Sequence, residues 1–299
     1  MSVAAGARPH AGPVRAFLRL VKVEHSVFAL PFVYIAALNA MAGGPGSRWV
    51  DLALITVAMV GARTFAMAMN RIIDRHIDAR NPRTAERELV TGTVSVRTAS
   101  LGALAALGVF LAAAALLNPL CLALAPLAVI PLVVYPYGKR FTWAPHAILG
   151  LAQAVAPVGA WIAVTGTWSW TPAVLGLAVG CWIGGFDIIY ALQDYEVDRR
   201  IGVQSLPARF GPVVALWCSR GAHAVTAGLL VWFGLLVGAA AFWYVGVAVV
   251  TLALAYEQAL VKPHDLSKVS RAFFTVNGFV GIALFCFAVV DLAGRGLFE

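Results

Sequence analysis

Charge is what this 299-residue sequence has least of: 12% of its residues are Asp, Glu, Lys or Arg, while 61% are hydrophobic and mean hydropathy is +0.84. A soluble globular domain carries about a quarter charged residues, so a water-soluble fold is excluded and a bilayer is the expected solvent. Cysteine is sparse too. Cys121, Cys181, Cys218 and Cys286 stand singly inside apolar runs, without CxxC or metal-type spacing, which excludes a disulfide framework and leaves small buried hydrophobes. The six histidines form no HExxH or paired spacing, so no histidine-bound metal is expected. Strands alternating apolar and polar residues are missing, which excludes a membrane β-barrel. The opening MSVAAGARPHAGPVR has no apolar core before a cleavage site, so it reads as a short disordered tail and not a secretory signal.

What the sequence does have is long apolar runs. Several exceed the roughly 18 residues that a spanning helix needs. Gly, Pro and charge punctuate them into nine expected spans, at 23–43, 50–76, 97–117, 119–137, 142–165, 170–196, 211–236, 239–262 and 269–293. The expected fold class is therefore an all-α polytopic membrane protein, with residues 1–22 as an N-terminal tail and 23–299 as the transmembrane domain. The thinnest division is Asn118-Pro119, between spans three and four.

The few charges test that division. With the N-terminus in the cytoplasm, the inner pieces are 1–22, 71–97, 138–140, 197–210 and 262–271, with Arg220 near the inner end of span seven. All 22 Lys and Arg residues lie there except Arg48, Arg63 and Arg295. This is the positive-inside bias of a multi-pass protein of the cytoplasmic membrane. The net charge of +8 is then topology and attraction to an anionic leaflet, and nucleic acid is not an expected partner.

Against this background the stretch NRIIDRHID, Asn70 to Asp78, is anomalous. At about 100° per residue, Asn70, Asp74 and Asp78 share one helical stripe about 12 Å long, and Arg63 lies within about 20° of it. A solvated helix end would explain the stripe. So would a cavity, because a charge within the bilayer costs on the order of 3 kcal/mol on insertion scales. A second stripe, in DIIYALQDYEVD, shifts the balance toward the cavity: Asp187, Asp194 and Asp198 share a face, with Tyr190 about a turn away. Both stripes end even-numbered spans on the inner side, and each runs into a basic loop. Oxygen ligands of this kind suit Mg²⁺, which takes one or two carboxylates together with substrate phosphates. Arg and Lys beside them neutralise diphosphate oxygens. Glu196 and Asp51 fall off the stripes and are expected at solvent.

The motifs resemble those of the UbiA superfamily of intramembrane aromatic prenyltransferases. NRIIDRHIDARNPRT is similar to that family's N-D-x-x-D-x-x-x-D element followed by N-P-R-T, and DIIYALQDYEVDRRIGVQS to its D-x-x-Y-x-x-x-D-x-x-x-D element. YPYGKR (135–140) and RAFFTVNGFVG (271–281) resemble two further stretches, so the likeness covers nearly the whole chain. VKVEHSVFALPF and ERELVTG resemble the 4-hydroxybenzoate polyprenyltransferase-like branch, and more narrowly the prenyltransferase of the futalosine route to menaquinone. Arg71 departs from the pattern, standing where many members carry an Asp.

The resemblance implies nine helices around a central cavity with cytoplasmic cap loops, Mg²⁺ as cofactor, and transfer of a polyprenyl group from its diphosphate to an aromatic hydroxy acid. Residue by residue, it implies Asn70, Asp74 and Asp78 for one Mg²⁺ and Asp187, Asp194 and Asp198 for another. Lys139, Arg75, Arg83 and Arg87 would meet diphosphate oxygens, a plain positive-inside role being the alternative for each loop Arg, and Tyr190 either bonds a phosphate oxygen or packs. For the acceptor carboxylate the candidates are Arg140, on a short loop beside Lys139, and Arg63, whose alternative is a permanent pair with Asp78 or another cavity carboxylate. Asn277 is either a cavity group or a helix–helix hydrogen bonder. Asp187 is the candidate proton acceptor. Other prenylations of the superfamily (haem, chlorophyll-type, lipid-glycan precursor) are alternatives. A cation-coupled transporter is the reading from another class, disfavoured because transporters place such charges nearer the midplane.

Overall fold

The structure is a computed structural model that describes residues 17, 19–21, 30–43 and 49–297. Among these, helices dominate: α1 (Leu30–Ala42), α2 (Trp49–Asp78), α3 (Val96–Leu117), α4 (Pro119–Phe141), α5 (Pro145–Thr165), α6 (Thr171–Ala191), α7 (Tyr195–Ile201), α8 (Leu206–Leu236), α9 (Ala241–Leu260) and α10 (Asn277–Gly294). Eight helical stretches are long and apolar enough to cross a membrane, with α6 and α7 counting as one. The ninth expected span is represented by α1, which has 13 described residues; 23–29 lie outside the described ones. Of the expected tail, Leu20 and Val21 are buried in a cluster with Phe65 of α2 and Ala99 of α3.

Local chemistry explains most boundaries. Asn118 ends α3 and starts α4: its side chain accepts from the Cys121 N–H at 2.9 Å and donates to the Ile162 carbonyl of α5 at 2.9 Å. One amide thus caps a helix and ties three together. YPYGKR was expected as a loop, yet α4 continues to Phe141, so Lys139 and Arg140 occupy its last turn, where the helix dipole favours cations. Span six also departs from a plain helix. A 3₁₀ turn at Leu192–Asp194 separates α6 from α7, so the second acidic stripe is broken and re-aimed. Span seven was drawn from 211, and Gly211 (φ 83°) is the kink inside α8.

α5 and α6 pack backbone against backbone. Gly176, Gly180 and Gly184 form a small-residue stripe at four-residue spacing, facing Gly150 and Ala154. A Cβ on Gly150 would stand 2.5 Å from the Gly180 carbonyl oxygen. Without a hydrophobic drive between helices in lipid, such close approach is what holds them. It also fixes the register between the start of α5 and Asp187 on α6.

From the 79–95 segment to the end of α10 the chain crosses the bilayer seven times by this architecture. Reporter fusions within 79–95 and after residue 297 are therefore expected on opposite membrane faces. A same-side result overturns the topology.

Candidate active site

The first stripe survives as a helical face at the end of α2, with Asp74 fully buried and Asp78 nearly so. Both carboxylates there are committed. Lys139 Nζ donates to Asp74 Oδ2 at 2.8 Å and Arg140 Nη1 to Asp74 Oδ1 at 3.1 Å, joining α4 to α2. Asn70 Nδ2 reaches the same carboxylate at 3.4 Å. Arg87 Nη1 donates to both oxygens of Asp78 at 2.7 Å.

The 79–95 segment folds over this end because NPRT builds a local turn. The Asn81 side chain accepts from the Arg83 N–H at 3.0 Å and donates to Asp194 Oδ1 at 2.8 Å. The Thr84 hydroxyl donates to the Asp78 carbonyl at 3.0 Å. Arg83 grips Asp194 by both oxygens, Nε to Oδ1 at 2.8 Å, and its Nη1 donates to the Tyr190 hydroxyl at 2.8 Å. Burial works against the charge of Arg83, and the bonds and charge of Asp194 outweigh it, so its pKa is raised.

The second stripe faces the first. Gly202, in the left-handed region at φ 75°, ends α7, and Ser205 starts α8, its hydroxyl donating to Asp198 Oδ2 at 3.2 Å. Asp187 meets His146 of α5, Nδ1 to Oδ2 at 2.6 Å. The Leu206 N–H points to His146 Nε2 at 3.5 Å, so the proton sits on Nδ1 and the imidazole donates to Asp187.

Between the stripes lies a polar cleft of about 130 Å³ lined by Asp78, Asp187, Asp194, Asp198, Lys139 and His146. It adjoins an apolar cavity of about 960 Å³ running past Phe186 and Trp182 to Trp168 and Trp170. The two spaces share Asn70, Arg83, Arg87, Tyr135, Asp187 and Tyr190. Leu127, Leu151 and Leu177 line the cavity and are 62%, 60% and 52% exposed, so it opens on the lipid-facing surface.

Some expected residues lie elsewhere. Arg140 lines neither space. Its guanidinium is consumed by Asp74, by the Pro136 carbonyl at 2.9 Å and by the Ile73 carbonyl at 2.7 Å, which makes it a tie between α4 and α2. Arg75 turns back onto its own helix and donates to the Ile72 carbonyl at 2.9 Å. Asn277 is buried between helices, accepting from Trp182 Nε1 at 2.7 Å and donating to Glu257 Oε1 at 2.8 Å. Arg63 does line the cavity. It does not pair with Asp78, which Arg87 holds, and among the described residues its buried Nε has no partner. Asp51, expected at solvent, is 2% exposed.

The sequence reading missed His146, Tyr135, Asn81 and Ser205. Asn81 and Ser205 sit in motifs whose turn and cap chemistry was readable. His146 follows a Pro within an apolar run and gives no local sign of its partner.

The sequence profile of the UbiA prenyltransferase family matches residues 29–279. The chain belongs to that family. It is a prenyltransferase and an integral membrane protein. It is 31% identical over 277 residues to a 4-hydroxybenzoate octaprenyltransferase of Methylobacillus flagellatus, covering 91% of this chain and 92% of the relative. A protein of the same name from Alkalilimnicola ehrlichii is 33% identical over 251 residues, covering 81% and 83%. An apo UbiA homologue from Aeropyrum pernix superposes with TM-score 0.82 at 35% identity, over 90% of this chain and 98% of that one. A UbiA homologue from Archaeoglobus fulgidus bound to GPP and Mg²⁺ shares the fold at TM-score 0.68 and 22% identity, over 93% and 99% of the two chains.

Proposed function

We propose that this prenyltransferase moves a polyprenyl group from its diphosphate to the ring of an aromatic hydroxy acid, of 4-hydroxybenzoate or dihydroxynaphthoate type, for quinone biosynthesis. The observation that carries this reading is the junction of an acid-and-base cleft with a long apolar cavity open to lipid. A diphosphate suits the first and a polyprenyl tail the second. The similar proteins named 4-hydroxybenzoate octaprenyltransferases support the acceptor class.

The donor set fits Mg²⁺, because five Asp carboxylates and the Asn70 amide supply hard oxygen ligands on two facing walls. Asn70, Asp74 and Asp78 would hold one ion, and Asp187, Asp194 and Asp198 another. Among the described residues no three acids or histidines already stand together as an ion site. Their oxygens are taken by Lys139, Arg140, Arg83, Arg87, His146 and Ser205. When bound, the metal supplies neutralisation of the diphosphate and a better leaving group.

The chain's own groups do the rest. Lys139, Arg83 and Arg87, exchanging their carboxylate partners for non-bridging phosphate oxygens, hold the leaving group in place. As the allylic C–O bond breaks, the apolar wall keeps water from the carbocation. The ring carbon attacks and its proton leaves to Asp187, which His146 orients; where that carbon bears the carboxylate, CO₂ leaves instead. Arg63 is the partner for the acceptor carboxylate, since it lines the cavity and Arg140 does not. The N-terminus lies in the cytoplasm by the charge bias, which puts the cleft on the cytoplasmic face.

Incubating the purified protein with labelled polyprenyl diphosphate and a panel of aromatic acids is expected to give a prenylated acid. EDTA should stop the reaction and Mg²⁺ restore it, and Asp74→Ala or Asp194→Ala should each abolish it in folded protein. Transfer that survives both treatments overturns the reading.

The acceptor assignment has its own outcome. Arg63→Ala removes a charge-assisted contact worth about 1.5–3 kcal/mol and should raise the KM for the aromatic acid roughly 10- to 150-fold, leaving the donor KM unchanged. Arg140→Lys should lower thermal stability and leave the acceptor KM alone. The reverse pattern returns the carboxylate to Arg140.

A further inference from the structure

Arg71 is a cation that neither the fold nor the mechanism above uses. It follows Asn70 on α2 and is 7% exposed, and among the described residues its buried Nε has no partner. Nor does any hydrogen bond or ion pair among the described residues engage its guanidinium. Asp78, Glu88 and Arg87 act on it only through space, and Asp78 already gives both oxygens to Arg87. A buried cation in a spanning helix without a direct counter-charge is strongly unfavourable, and an anionic ligand would supply one.

Its surroundings say where that anion belongs. Arg71 lines the cavity beside Asn70, Arg87, Tyr135 and Asp187, the residues shared with the acidic cleft. Lys139, Arg83 and Arg87 are each already paired with a carboxylate. Among the described residues Arg71 is paired with none. Arg63, whose buried Nε likewise has no partner among the described residues, lies eight residues earlier, about 12 Å deeper along the helix, and suits the far end of the acceptor.

We propose that Arg71 is the receptor for the donor's diphosphate where cavity and cleft meet. It takes two non-bridging oxygens in its planar fork while the ion pairs of the cleft are still closed. The inference rests on the donor class proposed above and adds a binding residue at a position where the family pattern places an acid. Because the side chain is already ordered, the contact costs little conformational entropy. The diphosphate enters with its allylic carbon toward the apolar wall, and Arg87 and Arg83 then close over it as their carboxylates are released.

The test uses the full-length protein in nanodiscs, with inorganic pyrophosphate and Mg²⁺ as the probe. Calorimetry should show Arg71→Met binding pyrophosphate about 10- to 150-fold more weakly than wild type, with the donor KM raised in proportion and the acceptor KM unchanged. Arg71→Lys, a point charge without the fork, should lie between them. Without ligand, Arg71→Met should unfold at the same or a higher temperature than wild type, while the stabilisation by pyrophosphate is lost. Unchanged pyrophosphate affinity in Arg71→Met, or a rise confined to the acceptor KM, overturns this inference alone. A wild type that binds no pyrophosphate overturns the donor class with it.

Discussion

A carboxylate buried in a membrane-spanning helix must have a counter-charge, and most of this structure around its inner face follows from that requirement. Asp74 is wholly removed from solvent and is held by Lys139 and Arg140. Asp78 and Asp194 draw Arg87 and Arg83 down from the 79–95 segment, which folds that segment over the helix ends. Replacing one partner of such a pair leaves an uncompensated charge, at a cost of about 3–5 kcal/mol. On the proposed function, the same pairs hold the groups that a metal and a diphosphate would need. Metal would take carboxylates and diphosphate cations, and neither exchange would leave a charge stranded if both happened together. That reciprocity would couple the two ligands thermodynamically.

The scaffold's task is to hold the facing walls at a fixed distance. The glycine stripe of α6 lets α5 approach closely enough for His146 to reach Asp187, and Asn118 ties α3, α4 and α5 at the ends opposite the cleft. The 3₁₀ turn before α7 gives the second wall its shape: a continuous helix would keep Asp194 on the line of Asp187, whereas the turn brings it to Asn81 and Arg83.

The stripes were legible because helical periodicity and the cost of intramembrane charge both act within one segment. So was the division at Asn118-Pro119, whereas Gly211, read as the start of span seven, is a kink inside α8. What periodicity cannot give is the partner across space. Arg140 and Arg63 look alike in sequence, as cations near acids, and only packing shows that one is consumed by Asp74 and two carbonyls while the other faces the cavity. His146 escaped for the same reason, its partner lying 41 residues away on the neighbouring helix. Asn277 was left between two roles, and its bonds to Trp182 and Glu257 place it among the helices. The 135–140 stretch misled because a charged pair after Gly138 resembles a loop, whereas a helix C-terminus stabilises the same cations.

The central claim is that the two acidic stripes act as one site. A double-mutant cycle on Asp74 and Asp194 tests it most directly, with kcat/KM for the prenyl diphosphate measured in wild type, Asp74→Asn, Asp194→Asn and the pair. If both walls hold the same diphosphate, the double variant should be little worse than either single one, a strong departure from additivity. Losses that simply add in free energy would mean two independent roles and would contradict the account.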